Sequence, residues 1–350
     1  MHTTEETSII EPPTSDADWN KSSKEDFPVV GIGASAGGLA AFEAFFSTMP
    51  DNPGAGMAFI LVHIHLDPNH KSILTDLIRR YTKMSVYEVD NGMAVNPNCV
   101  YVIPPNCDMI YKGRALHLLE PAEPRGHNMP IDSFFRSLAE EKKEQAIGIV
   151  LSGTGSDGTL GMRAIKAEGG MAVAQTLESS EYDSMPQSVI SPGLADYILP
   201  SEEMPAQLIS YVTQAFGKTT HPAGAEDSMK KIFSLVLTQT GHYFSDYKKG
   251  TITRRIERRM TIHNIKSMDE YVRYLGQKPA EVEALCRDFL IGVTNFFRNP
   301  KAFDVLKEKV IPNLFVGKYA EDAIRIWVPG CSTGEEAYSI GILLQGTWRC

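Results

Sequence analysis

The sequence lacks any apolar run close to the roughly 18 residues that a membrane-crossing helix needs, so a membrane-embedded protein is not expected. Cysteine is scarce. Cys99, Cys107, Cys286, Cys331 and Cys350 are scattered, odd in number and never spaced CxxC. That argues against a disulfide framework and against a metal site, and for a reduced, cytoplasmic compartment. Positive charge is in short supply: 34 Lys and Arg stand against 43 Asp and Glu, a net charge of -9. Such a balance gives no reason to expect a nucleic-acid partner. The first 26 residues lack apolar periodicity and a basic, apolar leader. They read as a disordered lead-in, not a signal peptide.

What is present is a chain of 350 residues, 43 % hydrophobic and 22 % charged, enough for about two domains. Over residues 27–213, short apolar runs alternate with helical spacings. Pro28 to Ile32, Phe59 to Ile64, Val100 to Ile103, Ala146 to Leu151 and Met171 to Ala174 read as strands. Leu39, Phe42, Phe45, Phe46 and Met49 recur at helical spacing, as do Ile73, Leu74, Leu77, Ile78 and Tyr81; Ile131 to Glu144 is a third helix. Met109 to Leu119 looks like a hairpin turning at Lys112-Gly113. Buried strands alternating with helices imply an α/β fold, a doubly wound parallel sheet covered on both faces. Residues 214–227, ending in GKTTHPAGAED, read as a linker. Residues 228–300 are almost wholly helical and predict a small all-α domain. In residues 301–350 a second α/β start appears, with Ile324 to Val328 as a strand before a glycine turn, and the chain stops inside the next helix. That last domain is expected to be the incomplete start of a Rossmann-like fold.

The first strand runs into Gly31-Ile32-Gly33-Ala34-Ser35-Ala36-Gly37-Gly38. Three readings compete. G-x-S-x-G is a nucleophile elbow, which needs small neighbours and lifts a serine to the carboxyl edge of the sheet. A dinucleotide loop would need G-x-G-x-x-G and an acid about 20 residues on, and neither is present. A plain turn would use Ser35 as a helix N-cap. A nucleophilic serine needs a base and a group to orient it. The next strand ends in Val62-His63-Ile64-His65-Leu66-Asp67, and Ala146 to Leu151 ends in Ser152-Gly153-Thr154-Gly155-Ser156-Asp157-Gly158. Parallel strands end at one edge, so His65 and Asp157 can face Ser35. Asp67 is a rival orienter, and helix capping is the ordinary role for Asp157. Backbone amides of Ala36 and Thr154 could cradle an oxyanion.

These residues resemble the catalytic domain of the chemoreceptor protein-glutamate methylesterase family of bacterial chemotaxis. The likeness runs over about Phe27 to Tyr211 and includes GIGASAGG, HLDPNH, SGTGSDG and Met185-Pro186. It implies Ser35, His65 and Asp157 as a catalytic triad. It also implies hydrolysis of γ-glutamyl methyl esters on receptor helices, with glutamine deamidation as a second activity and no cofactor. Ala36 and Thr154 stand where the family often has Thr and Met. With only a polar lead-in ahead of the domain, control by a preceding receiver domain is not expected. An alternative is a signalling scaffold that binds a receptor or kinase with little catalysis.

Downstream, YFSDYKKGTITRRIERRM, VTNFFR and GCSTGEEAYS resemble the chemoreceptor glutamate methyltransferase family. The resemblance implies S-adenosylmethionine contacts by Thr294, Arg298 and Glu335, with Gly330 and Gly334 shaping the loop. It implies that Arg254, Arg255, Arg258 and Arg259, at helical spacings of one, four and five, dock the receptor helix; a solvated face is the ordinary alternative. The order esterase-then-transferase is similar to hybrid proteins that fuse both enzymes. Methyl transfer is not expected from the front of that domain alone, and sensory or kinase domains are expected beyond Cys350.

Overall fold

The computed structural model describes residues 26–50, 56–63, 73–121, 129–216, 225–291, 296–317, 323–332 and 334–348. The chain divides into two compact units, Met1–Phe289 and Leu290–Cys350.

The first unit is built on a seven-stranded sheet of order β10-β9-β8-β1-β2-β5-β3, in which every pairing is parallel. Its strands are β1 (Val29–Ala34), β2 (Ala58–His63), β3 (Ser85–Glu88), β5 (Cys99–Val102), β8 (Ala146–Val150), β9 (Met171–Gln175) and β10 (Tyr197–Leu199). The strands β1, β8 and β9 are buried along their whole length, which is why they read as unbroken apolar runs. A small antiparallel sheet, β4 (Met93–Ala94), β7 (Ala115–Leu119) and β6 (Asp108–Lys112), contains the expected hairpin. The strands β3, β4 and β10 escaped the sequence reading because each is short, with few buried residues to carry a pattern.

Two apolar layers cover the large sheet. On one face, helices α1 (Gly38–Thr48) and α6 (Met204–Phe216) bring Phe42, Phe45, Phe46, Leu208 and Tyr211 against Val30, Ile32 and Leu61. Leu39, expected on that inward stripe, is 48 % exposed. Helix α2 (Ile73–Tyr81) adds Leu74 and Ile78 to the same layer. On the other face lie α3 (Pro130–Lys142), α4 (Thr159–Ala167) and α5 (Ser184–Ile190), with Ile131, Phe134, Phe135, Met162 and Met185 in the core. The doubly wound α/β expectation is met. The chain leaves β1 for β2 on one side and returns to β8 on the other, so β1/β8 is a topological switch point. Such points open a crevice at the carboxyl edge.

The helical segment follows in the same unit: α7 (Ala225–Thr240), α8 (Lys249–Ile262), α9 (Met268–Gln277) and α10 (Pro279–Leu290) surround Ile232, Val236, Ile256, Tyr271 and Leu285. Helix α6 runs to Phe216, so the expected linker is narrower than 214–227, and 217–224 lie outside the described residues. The second unit holds α11 (Pro300–Val305), α12 (Ile311–Phe315) and α13 (Glu335–Trp348), with a π-helical turn at Leu306–Val310. Ile324 to Val328, expected as a strand, is irregular. A strand is held by a ladder partner, and the described residues of this unit supply none; Trp327 is 87 % exposed.

Candidate active site

Ser35 directly follows the central strand. The register aligns Ala34 with His63 on β2 and Gly33 with Val150 on β8, so the three strand ends stand side by side. The Ser35 amide donates to Ser152 O (3.0 Å), and the Gly38 amide donates to Ser35 O (2.9 Å), closing a tight turn. Gly37 takes the N-cap position of α1 at φ 73°, a left-handed conformation that suits glycine, and no side chain caps the helix. The plain-turn reading needed Ser35 Oγ for that cap. Instead the hydroxyl is buried, 2 % exposed, with no hydrogen-bond partner among the described residues. A covered but uncommitted hydroxyl is suited to receive a base.

A second loop braces the turn. Ser152 Oγ donates to Ala36 O (2.9 Å) and accepts from the Tyr182 amide (3.0 Å), while Ser152 N donates to Gln175 Oε1 (2.8 Å). The Gly153 amide donates to Tyr182 O and the Met185 amide to Gly153 O, both at 3.0 Å. A Cβ on Gly153 would run into Met185 Sδ and come to 3.0 Å from Ser35 Cβ, so the lack of a side chain lets this loop pass behind the serine. Ser152, Gln175 and Gly153 were not singled out as site residues in the sequence. A polar residue at the end of each of two neighbouring buried strands was the available signal. Among the described residues, neither the Ala36 nor the Thr154 amide donates a hydrogen bond.

Asp157 is 3 % exposed and accepts three amides: Ile131 N on Oδ2 (3.0 Å), Asp132 N (2.8 Å) and Gly158 N (2.8 Å) on Oδ1. It therefore caps α3, not the helix that follows it. Asp132, on α3, returns the favour by accepting Gly161 N on α4 (2.6 Å). Burial pushes the Asp157 carboxyl up to about 6; the Asp132 and Ile131 amides pull it down, and the Asp132 charge pushes it up again. Burial likewise raises Asp132 despite the Gly161 amide and Arg136.

His65, the expected base, and Asp67, the rival orienter, lie outside the described residues. His63 ends β2 with its ring 6.1 Å from that of Phe42, and a Cβ on Gly38 would lie 3.1 Å from His63 Nε2. That ring packs on the start of α1.

The expected cofactor residues fall in the second unit, Thr294 outside the described residues. Glu335 opens α13, and Gly330 and Gly334 both have positive φ, 70° and 102°. The Phe297 amide, next to Arg298, donates to Ser339 Oγ on α13 (2.9 Å), which joins the junction segment to the helix carrying Glu335.

The four arginines do not share one solvent face. Arg254 is exposed and pairs with Glu144 (2.9 Å). Arg255 donates to Ala167 O (3.5 Å). Arg258 is buried, donating to Gly170 O (2.9 Å), to Asp288 (2.7 Å) and to Asp196. Arg259 pairs with Glu281 of its own helical segment and also reaches Asp196 (3.6 Å).

Comparison with known proteins returns three family matches: CheB methylesterase over residues 30–208, CheR methyltransferase, all-alpha domain over 227–290, and CheR methyltransferase, SAM binding domain over 292–349. An uncharacterized 104.1 kDa protein of Rhodobacter capsulatus is 37% identical over 77% of this chain and 31% of its own length. A protein-glutamate methylesterase/protein-glutamine glutaminase of Rhizobium meliloti is 34% identical over 50% of this chain and 49% of its own. The enzyme of that name in Thermotoga maritima is 31% identical over 53% and 54%. The chain thus spans about half or less of the length of these relatives. The crystal structure of the Thermotoga maritima CheB methylesterase catalytic domain is 28% identical, covering 53% of this chain and 98% of that one with a TM-score of 0.48.

Proposed function

Because the chain belongs to the CheB methylesterase family, with two CheR methyltransferase segments behind that domain, we propose that it hydrolyses glutamate methyl esters on chemoreceptor helices by a Ser35-His65-Asp157 mechanism. The observation that carries this reading is Ser35 Oγ, buried and without a hydrogen-bond partner among the described residues, at the switch-point edge. Ser35 Oγ attacks the γ-carbonyl and its proton passes to His65. The carbonyl oxygen, now negative, takes hydrogen bonds from the Ala36 and Thr154 amides, each worth about 3 kcal/mol in such sites. The tetrahedral adduct expels methanol, which takes the proton from His65. Water, activated by the same imidazole, then splits the Ser35 ester and leaves a glutamate carboxylate. Asp157 holds the α3 terminus and the Gly158 loop in place and supplies the negative charge that favours an imidazolium on His65. A glutamine side chain would follow the same path with ammonia leaving, which is the basis for deamidation.

For the transferase segment, an acid opening α13, two glycines in left-handed conformation and Arg298 form a donor set that fits the ammonium, hydroxyl and carboxylate groups of S-adenosylmethionine. That cofactor, when bound, supplies a methyl group. Glu335 would hold its polar hydroxyl or ammonium groups, and Gly330 and Gly334 keep the approach free of side chains. In a protein with the complete transferase domain, the two activities together would set receptor methylation in sensory adaptation in the cytoplasm.

The test is methanol release from a methylated chemoreceptor fragment. The unaltered chain should release methanol, and Ser35→Ala should lose at least ~10³-fold in kcat. Equal release from both proteins would remove Ser35 as the nucleophile. No release from either, with receptor binding retained, would favour the scaffold reading.

A further inference from the structure

The arginine helix α8 leaves Arg254 at the surface but turns the rest of its basic face away from solvent. It lies against the esterase domain, and two of the groups it meets there, Glu144 and Asp196, are carboxylates of the kind an acidic helix would offer. Arg254 pairs with Glu144, Arg255 donates to Ala167 O, and Arg258 donates to Gly170 O and pairs with Asp196. Behind them, Lys166 of the esterase domain bridges Asp196 (3.1 Å) and Asp288 of the helical segment (3.0 Å). The cluster is closed to water: Asp196 is fully buried, and the Lys166, Arg258 and Asp288 side chains are each 5 % exposed or less. Burial by itself would raise the Asp196 carboxyl, but Arg258, Lys166 and Arg259 overcome it and hold it well below the usual range. Tyr197 Oη donates to Ile262 O (2.6 Å) and Gln214 Nε2 to Asn264 Oδ1 (2.5 Å), extending the contact past the end of α8. Between the two surfaces an open cleft of about 190 Å³ is lined by Arg254, Arg255, Glu144, Glu168 and Phe216.

We propose that the esterase domain occupies the acid-reading face of α8 within the same chain, so that an acidic protein helix gains Arg255 and Arg258, and an Arg254 released from Glu144, only when this interface opens. Docking of the transferase segment on a receptor and the closed two-domain unit then exclude each other. Joined to a complete transferase domain, this arrangement would keep one receptor-binding face out of use while the esterase site works. This rests on the reading of α8 as the receptor-docking element.

The experiment uses the full chain and phenylglyoxal, which modifies accessible guanidinium groups, read by mass spectrometry. Arg79, paired with Asp76 at the surface, is the internal reference. Arg258 should react at least ~10-fold more slowly than Arg79, and Asp196→Asn should bring the two within about threefold. Fluorescent poly-L-glutamate stands in for the acidic helix. It should bind Asp196→Asn and Glu144→Lys at least ~5-fold more tightly than the unaltered chain, while Asp76→Lys, a matched charge change at an exposed pair, gains less than half of that. If Asp196→Asn loses its circular dichroism, Glu144→Lys at the exposed rim decides. Arg258 reacting as fast as Arg79 in the unaltered chain overturns the proposal, as does equal poly-glutamate binding by Glu144→Lys and Asp76→Lys. If Arg258 opens and poly-glutamate binds no better, the proposal also fails, and the failed part is the docking role of α8. Methanol release is not read here, so the esterase reading stands or falls separately.

Discussion

At the scale of single residues, the site depends on what surrounds Ser35 more than on Ser35 itself. Its hydroxyl is covered, and the loop behind it passes within contact distance only because position 153 has no side chain. Gly153→Ala would drive a methyl into Met185 and against Ser35 Cβ. We expect kcat for methanol release to fall at least ~10-fold with the far-ultraviolet circular dichroism unchanged, since the strain falls on the loop and not on the sheet. Asp157 gives a second prediction. Its carboxyl is raised to about 6 in the fold, mainly by burial. The folded state therefore holds its proton more tightly than the unfolded chain does. The resulting contribution to stability is fully present below about 4 and is lost as pH rises through about 6. Carboxyl carbon chemical shifts should give a midpoint near 6 for Asp157. A midpoint near 4 would mean that the three amides outweigh burial.

At the scale of elements, α3 and α4 cap each other. Asp157, in the loop before α4, accepts the first amides of α3, and Asp132, on α3, accepts the Gly161 amide of α4. This couples the base of the loop after β8 to a helix pair packed on the sheet. Asp132→Ala should cost about 1–2 kcal/mol by denaturant titration, the usual loss when a capping acceptor is removed and a buried donor is left open. Because Asp157 is tied to the N-terminus of the same helix pair, kcat should fall as well. A stability change with kcat intact would separate the cap from the catalytic loop.

At the scale of the whole molecule, the esterase domain and the helical segment of the first unit are joined by buried charge: Lys166, Arg258 and Arg259 against Asp196, Asp288 and Glu281. Opposite charges brought out of water together are costly to assemble, and removing one member leaves its partners uncompensated. Lys166→Met should lower the stability of this unit by about 3–5 kcal/mol. Calorimetry of the unaltered chain should give one transition for both segments, and two in the variant. Two transitions in the unaltered chain would mean that the interface does not couple their folding.

Much of this was legible without coordinates. The sheet was, because its inner strands are buried on both faces and their apolar runs say so locally. The tight turn after β1 was, because it needs small residues at fixed spacing around Ser35 and they are adjacent in the chain. Tertiary structure alone decided the rest. Asp157 was read beside the glycines of its own loop, yet it caps α3, a helix that starts 27 positions earlier at Pro130. Gly153 is indispensable because of Met185, 32 positions on. The arginines of α8 share a helical strip by spacing, but only packing determines that Arg258 meets Asp196, Arg259 meets Glu281, and Arg254 stays in water. Local spacing determines which face a residue belongs to; what that face meets is set by contacts between distant parts of the chain.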